Sequence, residues 1–320
     1  MTLVAARAVL ASAPLSSPDL WLTGIERAVM LAGLSVALGG LAGRAVARHY
    51  KGSRPGPLPT PWAVRGSLLG AAASAALLIT AVAGPGLASR LAQPPAPGLR
   101  GHATAVIALV ELACFALAAL LLKVRRAEPA AFLLSGVVLA EGIRAHPEGI
   151  VPVGGALLTC CHLLPAVLWA GLLFYVFRAA LSWRANSAAV QDLFKMYAGL
   201  AAWLFGVVII TGIISVLLLV PLSKLFTTAY GLFVVAKAAV VLVAAAMAVG
   251  GRMWLRYRPA PGIGPALVTR IELCSLATAL AVTGILTVLT PPARPLGSLS
   301  AAAIVVHGRQ LEHGQTQRRP

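Results

Sequence analysis

Charge is what this sequence lacks most. Aspartate and glutamate together number 9 in 320 residues, and charged residues of both signs make up only 11%. A soluble domain of this length needs far more to cover its surface, so a soluble globular protein is excluded. Cysteine is scarce too. The 4 present include an adjacent pair, Cys160 and Cys161, and form neither a disulfide framework nor a CxxC metal signature, which leaves the redox compartment open. No Walker loop, Rossmann glycine pattern, HExxH or GxSxG stands in a strand-to-helix context. The chain therefore offers no catalytic residue and is not expected to be an enzyme. Repeats of 20 to 50 residues are absent, as are Met-rich and His-rich loops.

What is present is apolar: 59% of the residues are hydrophobic and the mean hydropathy is +0.88. These values define an all-α integral membrane protein, a polytopic transmembrane helix bundle whose first partner is the lipid bilayer. The formal charge of +17 does not indicate nucleic acid, because the basic residues are strung between apolar runs instead of gathering on one face or tail.

Apolar runs separated by Pro, Gly and basic residues place about eight spans at 24–43, 64–87, 102–123, 129–145, 153–181, 194–220, 228–251 and 268–290. The fourth is short and carries Glu141 and Arg144. Lys and Arg concentrate in alternate connections: Arg44, Arg48, Lys51, Arg54 and Arg65, then Lys123, Arg125 and Arg126, then Arg184 and Lys195, then Arg252, Arg256 and Arg258. Short basic loops stay in the cytoplasm, so both termini are expected outside it. The chain then divides into a leader at 1–23, possible to read as interfacial, a four-span half at 24–151, a second four-span half at 152–292 and an extracytoplasmic tail at 293–320, expected to be disordered. His307 and His313 in that tail are a slight metal signal.

Within the spans, ionisable groups are costly and therefore candidates for function. Glu111, His162 and Lys237 reach similar depths by helix rise. Glu111 and Lys237 are expected to form an intramembrane ion pair, since opposite charges in hydrocarbon tolerate burial best together. His162 reads either as a ligand or as a structural histidine bonded to a neighbouring helix, and the residues leave both open. Soft ligands stand near this polar level: Cys114 shares a face with Glu111, Cys160 and Cys161 precede His162, and Met30 follows Glu26 by one turn. With thiolate, thioether and imidazole the set His162, Cys161, Cys160, Cys114, Glu111 and Met30 is a candidate metal site, most suited to copper; Cys and Met also commonly just fill apolar gaps. Glu272 reads as interfacial, near Arg270. Gly206 and the runs Ala71 to Ala76 and Ala238 to Gly251 suit close helix packing.

From Val153 to Pro292 the chain resembles the copper resistance protein D family of bacterial membrane proteins. The landmarks are His162-Leu-Leu-Pro-Ala-Val-Leu-Trp169-Ala170-Gly171-Leu172, Thr211-Gly212, Tyr230-Gly231 followed by Lys237, Glu272, and the closing Pro291-Pro292. Two positions depart from the pattern: Ala170 replaces a glycine, and Leu232 an arginine. The resemblance implies a multi-pass protein of the bacterial plasma membrane concerned with copper uptake or copper tolerance, with copper ion as the metal it handles. It also implies a small extracytoplasmic copper-binding partner of the copper resistance protein C type. On this reading His162 lines a polar path for copper. The competing reading is a non-transport scaffold or assembly subunit in which the buried polar residues only fix helix packing. A haem-binding bundle is disfavoured because His102 lies too near the surface to pair with His162.

Overall fold

The computed structural model describes residues 18–49, 56–83, 99–144, 152–257, 264–289 and 291–292. The expectations for the leader before residue 18 and for the tail from 293, with His307 and His313, lie outside them. Eight helices account for nearly all described residues, and no strand occurs among them. They are α1 (Pro18–Arg48), α2 (Ala63–Ala83), α3 (Leu99–Lys123), α4 (Ala127–Arg144), α5 (Pro152–Ser182), α6 (Ser187–Leu219), α7 (Ala229–Tyr257) and α8 (Gly264–Leu286). Each covers one expected apolar run, with ends that differ from it by up to seven residues. Helices are the outcome that hydrocarbon demands, since every backbone N–H and C=O must be satisfied within the segment.

By length and composition, 6 of these helices can cross a membrane: α1, α2, α3, α5, α6 and α7. The fourth, α4, has only 18 residues and includes Glu128, Glu141 and Arg144. Among the described residues no stretch of that length and composition lies in α4 or α8, so the structure supports a multi-pass helical bundle without fixing eight crossings.

Local sequence sets the helix ends. Asn186 caps α6, its side-chain oxygen accepting from the Ala189 amide at 3.0 Å. Between α3 and α4 the chain reverses at Arg125, which adopts a left-handed φ of 61°. The Arg126 amide donates to the Leu121 carbonyl at 2.8 Å and the Arg125 amide to that of Leu122 at 3.1 Å. Those two bonds close a Schellman turn in which an arginine holds the position glycine usually takes.

Helix α1 organises the bundle. It packs along α2 on one side and α8 on another, and meets α5 at a π-turn over Ser35–Gly39. There the backbones touch: a Cβ on Gly39 would lie 2.5 Å from the Gly171 Cα, and one on Gly171 would overlap the Ser35 carbonyl. The approach explains the place of Gly171 in the motif, since any side chain at either position would drive the helices apart. Gly206, expected at a helix contact, has nothing near it. Its α6 face is open at that level, and close packing falls to the glycines of α1, α2 and α5 instead.

Candidate functional site

Two groups of polar residues within the spans carry the candidate site residues. The first belongs to α1, α3 and α4. Glu111, fully buried on α3, accepts from Arg144 Nη2 at 3.0 Å, and the same nitrogen bonds Glu141 one turn earlier on α4. Arg27 of α1, also buried, stands within electrostatic reach of all three and donates to the Thr287 carbonyl at 3.1 Å, just beyond α8. Two carboxylates thus face two guanidinium groups. Charge balance of this kind is what lets ionised groups persist away from water.

This arrangement corrects the expected pair. Glu111 is bonded to Arg144, and Lys237 has no carboxylate partner among the described residues. Helix rise places Arg144 near the end of α4, but a long guanidinium side chain reaches well beyond its own Cα level. It turns inward because two carboxylates wait there.

The second group is built by α5, α6 and α7. His162 Nδ1 lies 3.0 Å from Thr211 Oγ1 on α6. That hydroxyl has a single hydrogen, and it donates it to the Val207 carbonyl one turn earlier at 2.6 Å. Donation of that hydrogen to Val207 leaves Thr211 as an acceptor for Nδ1–H, the tautomer in which Nε2 keeps its lone pair, and the Val208 carbonyl is a second acceptor for the ring. Gly212 makes room for the ring: a Cβ there would sit 3.3 Å from His162 Cε1. The Thr211-Gly212 pair is consequently the seat of the imidazole, a link that sequence order alone does not reveal. Lys237 on α7 approaches closely enough for its ammonium to act on the ring electrostatically.

Pro165 adds a feature missed in the sequence. Inside α5 it supplies no N–H, so the carbonyl of Cys161, four residues earlier, loses its helical donor. A free backbone oxygen one residue from His162 makes this stretch of α5 more polar than its side chains imply. The signal was present as a proline four positions after Cys161.

The six candidate metal ligands do not converge. No cluster of three or more His, Cys, Asp or Glu suited to a metal ion occurs among the described residues. Met30 is enclosed in the apolar core. The Cys160 thiol donates to the Val138 carbonyl at 3.5 Å, Cys161 is exposed, and Glu111 is engaged by Arg144. Cys114 lies against α4 at Gly136. The helical period explains the dispersal: consecutive residues 160, 161 and 162 diverge by about 100° each around the axis. A resident copper centre does not fit this donor set.

The remaining motif residues have structural surroundings. Trp169 is buried edge-on against Phe205 of α6 at 5.5 Å between centroids. Gly231 accommodates the Leu225 carbonyl, and its amide donates to the Thr228 hydroxyl at 3.2 Å, so Tyr230-Gly231 opens α7 on a capped first turn. Glu272, expected at the interface, is instead buried and accepts from the Tyr197 hydroxyl at 3.2 Å, tying α8 to α6. Pro291 and Pro292 lie beyond the end of α8, outside any helix.

Fold and site together define a multi-pass helical membrane protein with charged and polar groups buried between its helices. Within it, residues 191–290 match the family model described as Copper resistance protein D. The match runs from α6 to just past α8. It includes Thr211-Gly212, Tyr230-Gly231, Lys237 and Glu272 and stops short of the His162 to Leu172 landmark on α5. No curated protein and no solved structure matches the chain.

Proposed function

We propose that this protein handles copper at the bacterial plasma membrane, in import or in tolerance, as a non-enzymatic multi-pass protein with both termini outside the cytoplasm. The observation that carries the reading is the imidazole of His162, oriented by Thr211 of the family-matched segment so that Nε2 keeps its lone pair. A ring held through Nδ1–H is the usual posture of a metal-ligating histidine, whose second nitrogen is fixed by a hydrogen bond. Copper enters here as cargo. It would meet Nε2, with the Cys161 carbonyl on the same turn, and then leave. The Lys237 ammonium opposes long residence of a second cation beside it, which favours passage over storage. A small extracytoplasmic protein of the copper resistance protein C type would supply the ion.

One observation favours a second reading, a scaffold or assembly subunit: the hydrogen bond to Thr211 already gives His162 a structural role. Substitution separates the two. His162→Ala leaves Thr211 donating to Val207, so no buried donor is orphaned, and the variant should insert and fold. In the copper reading its cells lose copper accumulation. His162→Gln keeps a donor for Thr211 but ligates soft metal poorly, so it should fold and still fail to restore accumulation. Normal accumulation with well-folded His162→Ala would end the copper path. A loss of folded yield in His162→Ala that His162→Gln repairs would establish the scaffold.

A further inference from the structure

We propose that the groove between α1, α5 and α8 binds an anionic phospholipid, with one acyl chain lying along the helices and the phosphate held by Arg44, Arg65 and Arg178. The groove is a cavity of about 500 Å³ extending from Gly24 and Ile285 at one end to Val36 and Phe174 at the other. Small residues form its floor, among them Ala28, Ala32 and Ala277, and Ser35 is the one hydroxyl in the lining. Ile25 stands 56% exposed at its rim. A slot of this composition facing hydrocarbon suits an acyl chain.

What selects the headgroup lies at the Phe174 end. The Phe174 ring meets Trp62 edge-on at 5.5 Å between centroids, and the guanidinium of Arg178 lies 4.4 Å from the Trp62 centroid and 6.0 Å from that of Phe174. Arg65 stacks on Trp62 as well, at 4.8 Å. Stacking on an aromatic face uses none of the five N–H donors of an arginine, so the edges remain available for a phosphate. Arg178 spends one on the Thr60 carbonyl at 3.1 Å. Arg44 joins the cluster through Tyr175, which has Arg44 and Arg178 within electrostatic reach, and the Arg44 Nε is buried with no hydrogen-bond partner. No carboxylate pairs with Arg44, Arg65 or Arg178 among the described residues. Three positive groups from three helices thus converge at the mouth of an apolar slot.

The lengths agree. By helix rise Arg44 lies about 12 Å beyond Val36 and about 24 Å beyond Ala28. One lipid, headgroup included, spans half of a bilayer about 40–45 Å thick. A phosphate at the level of Arg44 therefore leaves its chain inside the groove.

The test is lipid binding to the purified, delipidated full-length protein, followed by native mass spectrometry and by the midpoint of thermal unfolding. Dioleoylphosphatidylglycerol should bind and raise the midpoint, while dioleoylphosphatidylcholine and glycerol 3-phosphate should not. The double variant Arg65→Gln/Arg178→Gln should weaken phosphatidylglycerol binding about 25-fold, from about five-fold for each arginine near a phosphate. Ala277→Phe, which fills the slot from an exposed position on α8, should weaken it several-fold with the arginines intact. Equal binding of phosphatidylcholine would overturn the proposal, and so would competition by glycerol 3-phosphate at the lipid's own affinity, which would mark a soluble-anion site. Undiminished phosphatidylglycerol binding by either folded variant would overturn it too. The lipid comparison on the unaltered protein decides the matter even where a variant does not fold.

Discussion

Removing Glu111 should do more damage than removing Glu111 and Arg144 together. In the intact cluster Glu111 and Glu141 balance Arg27 and Arg144, all of them buried or nearly so, with Glu111 at 0% exposure and the Arg144 side chain at 9%. Glu111→Leu leaves two guanidinium groups against one carboxylate. Arg144→Leu leaves two carboxylates against one guanidinium and deprives both of their shared donor. Breaking a buried pair from one side costs about 3–5 kcal/mol, whereas replacing both partners by apolar groups is often neutral. The double variant retains Glu141 facing Arg27 and is balanced again. Each single change should therefore lose about 3–5 kcal/mol and the double distinctly less than either. The assay is reversible unfolding in mixed micelles, read by tryptophan fluorescence and set out as a double-mutant cycle. Glu111→Leu combined with Lys237→Leu serves as the control, because those residues share no contact and their effects should add within about 0.5 kcal/mol. Additive losses for Glu111 and Arg144, with coupling between Glu111 and Lys237, would refute the assignment of partners.

Arg125→Gly should stabilise the protein by about 1 kcal/mol in the same assay, since a non-glycine residue in the left-handed region costs about 1–2 kcal/mol and both Schellman bonds are made by the backbone; destabilisation would mean that the arginine side chain holds the turn. A reporter active only in the cytoplasm, fused after Pro320, should stay silent, because the basic connections alternate as the positive-inside rule requires of an even number of crossings. A cytoplasmic signal there would show an odd number of crossings, with α8 not crossing or with α4 not crossing and the orientation of the helices after it reversed.

Much of the architecture was legible in the sequence, because hydrocarbon leaves a chain few options. A run of apolar residues bounded by Pro, Gly and basic residues must become a helix there, and the observed bounds of α5, Pro152–Ser182, fall one residue outside the expected 153–181 at each end. Position along each helix axis was also legible, since it follows from rise alone. Rotation about the axis and choice of neighbour were not. Glu111 and Lys237 were expected at one level, but α3 and α7 present them to different surroundings, and the partner of Glu111 comes from α4, reached by a side chain longer than the Cα level allows for. Cys160, Cys161 and His162 adjoin in sequence and diverge in space, while His162 and Thr211, 49 positions apart, share a hydrogen bond. Composition thus determined that the chain would be a membrane-embedded bundle of helices. Which buried polar groups meet was decided only when Gly39 and Gly171 let α1 and α5 touch, and when the packing of α5 on α6 set the imidazole against Thr211, because side-chain contacts depend on helix rotation and crossing, which a one-dimensional pattern leaves free.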